Sequence, residues 1–103
     1  GQHIDLVGAY NPSMRESDDE AIKASSVFVD TLVAGTRESG DIVIPLKNGT
    51  ITLEDIQADL FQLCSNTKTG RTSDEQITLF KSVGHALEDL VAAEYYFEKM
   101  MQV

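Results

Sequence analysis

Ser82, Val83 and Gly84 stand where a short apolar run, Ile77 to Phe80, turns into an unbroken helical pattern that carries on to the end of the chain. A turn from strand to helix leaves backbone N–H groups without partners, and such groups attract anions and phosphates. Ser82 adds a hydroxyl there, within reach of a bound ligand, although on spacing alone the commoner role of such a hydroxyl is to cap the helix. A second glycine-bearing loop, Gly8 to Ser13, comes after the first apolar run and contains the Asn11-Pro12 turn signal. Gly8 and Gly84 would let a ligand approach the backbone closely, or would simply satisfy tight turns. Other chemistry-bearing residues are isolated. His3 and His85 have no partner at metal-ligand spacing, so no metal site is expected. Asp18, Asp19 and Glu20 form a charge cluster suited to a helix start. Cys64 lies among apolar residues and reads as a small buried hydrophobe. No glycine-rich phosphate loop of the G-x-G-x-x-G or Walker type occurs.

The elements that would position the two loops can be placed from hydrophobic periodicity. His3 to Val7 reads as a strand, Asp18 to Ala24 as a capped helix, and Val27-Phe28-Val29 as a buried strand. Thr31 to Ser39 reads as a short helix stopped by Gly40. Ile42-Val43-Ile44, closed by Pro45, reads as a third strand or an extended link. Thr52 and Asp55 form a capping box ahead of a helix from Leu53 to about Ser65, with Leu53, Ile56, Leu60 and Leu63 on its buried stripe. Asn66 to Asp74 is a polar loop. A strand over Ile77 to Phe80 and a helix from Val83 onward complete the chain, with Val83, Leu87, Leu90, Val91, Tyr95, Phe97 and Met101 at helical spacing. Alternation of this kind predicts an α/β fold with a mainly parallel sheet. Ligands of such sheets bind beyond the carboxyl ends of the strands, and both loops lie there.

A 42% hydrophobic content allows a packed core in 103 residues and argues against disorder. A net charge of −9 disfavours nucleic acid and anionic membrane surfaces as partners. One cysteine forms no internal disulfide, which suits a reducing, cytoplasmic compartment. No apolar segment approaches a membrane span.

Two blocks carry more. VGAYNPSMRE (Val7 to Glu16) and GRTSDEQITLFKSVGHALEDLVAA (Gly70 to Ala93), with HIDLVG and GDIVIPL in order between and before them, closely resemble the ornithine cyclodeaminase/mu-crystallin family. The resemblance implies an NAD(P)-dependent enzyme of amino or imino acids whose members are about three times this length, on the scale of two domains. It implies that this chain is the carboxyl-terminal third. Residues 1–82 would be the later part of a Rossmann-like dinucleotide-binding domain, with flanking helices on its partial sheet. Residues 83–103 would be a long helix returning to a substrate and dimerisation domain. By position, Ile4, Asp5, Leu6, Val7 and Ser82 would contact NAD or NADP, and Val83 would face the substrate.

Two departures stand out. Tyr10 occupies the place of the cyclodeaminases' Asp, where it could hydrogen-bond a substrate or donate a proton. Met14 occupies the place of a Lys that belongs to the cofactor site. They point away from ornithine cyclisation and toward reduction of a cyclic imine or ketimine. With the phosphate loop absent from these residues, the chain alone is expected to be inactive and to bind cofactor weakly. The wide apolar surface of the last helix predicts a homo-oligomer through it. The alternative is a non-enzymatic binding or oligomerisation module.

Overall fold

Four parallel strands in the order β1-β4-β2-β3 form the sheet of the computed structural model, which describes residues 1–102. They are β1 (His3–Leu6), β2 (Ser26–Val29), β3 (Ile56–Asp59) and β4 (Thr78–Lys81). Five helices accompany them: α1 (Asp19–Ala24), α2 (Leu32–Gly35), α3 (Gly40–Asn48), α4 (Leu60–Cys64) and α5 (Ala86–Met101). The α/β expectation therefore holds, and the sheet is parallel throughout. The central places go to β2 and β4, whose Val27, Phe28, Val29 and Leu79 are buried. Buried central strands need apolar side chains on both faces, and these two have them. Ile22 of α1, Ile42 of α3 and Ile51 and Ile56 complete the core, with Ile4, Leu6 and Leu46 packed against it.

Ile42-Val43-Ile44 is the middle of a helix, not an extended segment. The Ser39 side chain caps α3 by accepting from the Asp41 N–H, and Gly49 ends it in the left-handed conformation at φ 81°. β-branched residues favour strands only weakly, and burying Ile42, Val43 and Pro45 against the sheet outweighs that preference. Gly40, expected to stop α2, is instead the first residue of α3. α2 itself is a single turn capped by Thr31, whose Oγ1 accepts from Ala34 N at 3.1 Å.

The helix expected over Leu53 to Ser65 is split into a turn, a strand and a short helix. Asp55 accepts from the Thr52 N–H at 2.8 Å, as the capping box requires, but it starts only one 3-10 turn. Ile56 and Ala58 then point into the core as β3 pairs with β2. A second capping box, Asp59 with Gln62, starts α4: Gln62 N donates to Asp59 Oδ1 at 2.9 Å and Asp59 N to Gln62 Oε1 at 3.1 Å. Helical spacing of Leu53, Ile56, Leu60 and Leu63 was real but could not compete with an open strand edge beside β2. Cys64 ends this short helix and is exposed, correcting the expectation of a buried thiol.

α5 begins at Ala86, later than expected, and none of its residues is buried. Leu90, Tyr96, Phe97, Met100 and Met101 are all more than half exposed. Among the described residues no helix is long and apolar enough to cross a membrane.

Candidate functional site

Three of the four strands end at a buried charged side chain: Asp30 just after β2, Asp59 at the end of β3 and Lys81 at the end of β4. Such groups are tolerated only when paired or hydrogen-bonded, and their partners shape the crevice at the carboxyl edge of the sheet. β1 and β4 are neighbours, with Leu6 level with Lys81. The loops after them therefore lie side by side. Ser82 N donates to Leu6 O at 2.9 Å, tying one wall to the other.

The first wall is the turn Ser82–Gly84. Asp30, fully buried, accepts through Oδ2 from Val83 N at 2.9 Å, Gly84 N at 2.8 Å and Ser82 Oγ at 3.3 Å. Its other oxygen accepts from Thr31 N at 3.0 Å. Gly84 adopts φ 92°, a conformation that favours glycine. The cap of α5 is His85, whose Nδ1 accepts from Leu87 N at 3.2 Å, so Ser82 is not the helix cap.

The second wall is the loop after β1. The Glu16 side chain reaches back, and its Oε1 accepts from Gly8 N at 2.6 Å and Ala9 N at 3.4 Å. Beneath it Lys81 Nζ, fully buried, lies 3.7 Å from Glu16 Oε1 and 3.4 Å from Asp41 Oδ2. Asp41 turns its other oxygen to Glu16 N (2.8 Å), Ser17 N (3.0 Å) and Ser17 Oγ (3.1 Å). One cation and two carboxylates thus lock the loop onto α3 and β4.

Internal carboxylates consequently fill backbone donors at both walls, including the turn ahead of α5, where the sequence suggested a site open to anions. The Gly8, Ala9, Val83 and Gly84 amides are thereby closed to a phosphate. Of the expected contacts, Ile4 and Leu6 pack toward the core, while Asp5 and Val7 are exposed. Ser82 and Val83 are half-buried at the turn. Tyr10 projects from the loop at 68% exposure.

Asp30, Glu16, Asp41 and Lys81 were not singled out from sequence. For Asp30, Asp41 and Lys81 the signal is a charged residue placed directly before or after an apolar run, as in VFVD, DIVI and TLFK; Glu16, in MRESDD, carries no such signal.

On the far side of the turn, α4 and α5 enclose an open apolar groove of about 600 Å³, lined by Leu60, Phe61, Cys64, Leu87, Val91 and Tyr95. His85 packs edge-on against Phe61 with ring centroids 5.8 Å apart. Burial at its rim raises the Glu88 carboxyl above its ordinary pKa, and the nearby Asp30 charge adds to the effect.

A model of the ornithine cyclodeaminase/mu-crystallin family matches residues 1–103. A Δ1-pyrroline-2-carboxylate reductase of Bacillus cereus is 43% identical over 103 residues, covering 99% of this chain and 32% of that protein. A solved structure, the Δ1-pyrroline-2-carboxylate reductase of Thermococcus litoralis in complex with NADH and L-proline, superposes with a TM-score of 0.87 at 41% identity, over 97% of this chain and 31% of that one. An archaeal alanine dehydrogenase dimer with bound NAD gives a TM-score of 0.82 at 33% identity, over 97% and 31%. The chain thus spans about a third of the length of the relatives it matches.

Proposed function

The chain belongs to the ornithine cyclodeaminase/mu-crystallin family, and on that premise we propose that it is the carboxyl-terminal third of an NAD(P)-dependent reductase of cyclic imino acids. The observation that carries this reading is the likeness to the Thermococcus reductase solved with NADH and L-proline, joined to Tyr10 at the position where the cyclodeaminases have an Asp. In this reading residues 1–82 are the later part of the dinucleotide-binding domain, and residues 83–103 lead into the substrate and dimerisation domain. Asp5 and Val7 offer side chains to the cofactor, Ile4 and Leu6 offer backbone, Ser82 offers its hydroxyl, and Val83 faces the substrate. Tyr10, exposed on the loop after β1, serves in this reading as a hydrogen-bonding group for the substrate. When bound, the nicotinamide supplies hydride to the carbon of a C=N bond. The two walls of the crevice hold the ring end of the cofactor and keep anions away from the two turns. The lone exposed Cys64, with no disulfide partner, is in keeping with a cytoplasmic protein.

Full-length protein supplied with NADH or NADPH is expected to reduce Δ1-pyrroline-2-carboxylate and to release no ammonia from ornithine. Ammonia release with no imine reduction would overturn this reading. The 103-residue chain alone is expected to bind either cofactor weakly, since no glycine-rich phosphate loop is among its residues.

Assembly belongs to the same proposal. A helix whose apolar residues are exposed on several sides needs a partner, and α5 exposes Leu87, Leu90, Val91, Tyr95, Tyr96, Phe97, Met100 and Met101. We assign that partner to a second copy of the protein. The isolated chain, of 11.3 kDa, is expected to sediment as a dimer or larger. Leu90→Glu with Phe97→Glu is expected to return it to a monomer. A monomeric wild-type chain at high concentration would refute the assignment.

A further inference from the structure

We propose that Asp30 is a positioning residue that fixes the Ser82 hydroxyl as a hydrogen-bond acceptor toward a ligand N–H, the carboxamide of a bound nicotinamide. The inference rests on the proposed cofactor role and adds the direction and the origin of the contact. Asp30 Oδ2 meets only donors: the N–H groups of Val83 and Gly84 at 2.9 and 2.8 Å, and the Ser82 hydroxyl at 3.3 Å. A carboxylate oxygen so placed can only accept. Ser82 has one hydroxyl proton, and the Asp30 carboxylate 3.3 Å away draws it. An oxygen lone pair is left for a ligand. The neighbouring Ser82 N–H is also spent, on Leu6 O at 2.9 Å. A phosphate or carboxylate oxygen therefore finds no donor at this turn, whereas an N–H donor finds an oriented acceptor. A nicotinamide dinucleotide has N–H donors in its adenine amino group and its carboxamide. Ser82 adjoins Val83, the residue assigned to the substrate, and the part of the cofactor nearest the substrate is the nicotinamide. Asp30 is fully buried and directly follows β2, which lies across β4 from β1. Its anchoring of the turn thus comes from the sheet and not from the ligand.

The test measures binding to the full-length protein by calorimetry. NADH is compared with its acetylpyridine analogue, in which a methyl ketone replaces the carboxamide and no N–H remains at that end of the molecule, the adenine amino group being common to both. Wild-type protein is expected to prefer NADH by about 2- to 10-fold, the worth of one hydrogen bond. Ser82→Ala is expected to abolish that preference. Asp30→Asn is expected to reduce it although Ser82 is intact, and the double variant is expected to match Ser82→Ala alone. A merely structural Asp30 would lower the melting temperature and weaken both ligands equally with the preference unchanged, which overturns the proposal. Additive losses of preference in the double variant overturn it too. Should Asp30→Asn fail to fold, two results still decide. Undiminished preference in Ser82→Ala overturns the proposal, as does protection of the Val83 and Gly84 amides from hydrogen exchange on adding inorganic phosphate to wild type. Wild-type protein that binds neither NADH nor NADPH would instead overturn the cofactor role, and this inference with it.

Discussion

Lys81→Met should leave the domain unfolded or close to it. Lys81 and Asp41 are both fully buried, and the Lys81 ammonium is the cation that faces Asp41 Oδ2 at 3.4 Å. Removing one partner of a buried ion pair strands the other charge, at a cost of about 3–5 kcal/mol. Whole domains are held by about 5–15 kcal/mol, so the loss takes a large part of the total. Glu16 suffers less, since its side chain is 42% exposed and water can replace the lost cation. Asp41 cannot be given up freely either, because its Oδ1 holds the N–H groups of Glu16 and Ser17. The informative second variant is therefore Lys81→Met with Asp41→Asn, which keeps an acceptor for those groups and leaves no stranded charge. It should regain at least half of the lost stability. Denaturant unfolding checks both, and a loss below about 1 kcal/mol in the single variant would place this pair with exposed ones. The consequence reaches the crevice, because Lys81 and Asp41 together support Glu16, which holds the Gly8 and Ala9 amides.

Gly40→Ala should destabilise by about 1–3 kcal/mol, as overpacking does where neighbours cannot yield. An added Cβ would overlap Met14 O and lie 2.8 Å from Pro12 O, both backbone atoms without a rotamer to change. The same loop is stitched to α3 by Gly40 N donating to Asn11 O at 2.9 Å. Methyl and hydrogen bond cannot both be kept, so the loop carrying Tyr10 must move away from the helix. Gly70→Ala is the control: its nearest neighbour would be Leu63 Cδ2 at 4.0 Å, and a change within about 0.5 kcal/mol is expected. Equal midpoints for the two variants in urea would show that the close approach at Gly40 is not a constraint.

How far the sequence could be read depended on the range of the interaction concerned. Strands β1, β2 and β4 were legible because each is a short apolar run between polar or glycine boundaries. α1 was legible because Asp18 accepts from Ala21 N, three residues on. The Thr52–Asp55 box was legible too, but it governs only its own turn. The segment from Ile56 to Cys64 is ambiguous in sequence, because Ile56 suits a helical stripe with Leu60 and a strand face with Ala58 alike. The second box at Asp59 and Gln62 is the local mark of where the new helix begins.

By itself, the amino-acid sequence determined the α/β alternation, the family and the two loops beyond the strand ends. Those properties rest on local periodicity, turn residues and blocks of contiguous residues. Tertiary structure alone decided that β4 lies between β1 and β2, bringing those loops together. It also decided that β3 is a strand, that α3 is a helix, and that Asp30 and Glu16 fill the donors of the two walls. Asp30 precedes Gly84 by 54 residues, and Asp41 comes 25 after Glu16. A carboxylate's partner at such separations is chosen by which strands pair, and the energy of burying a charge then requires that the pairing be met.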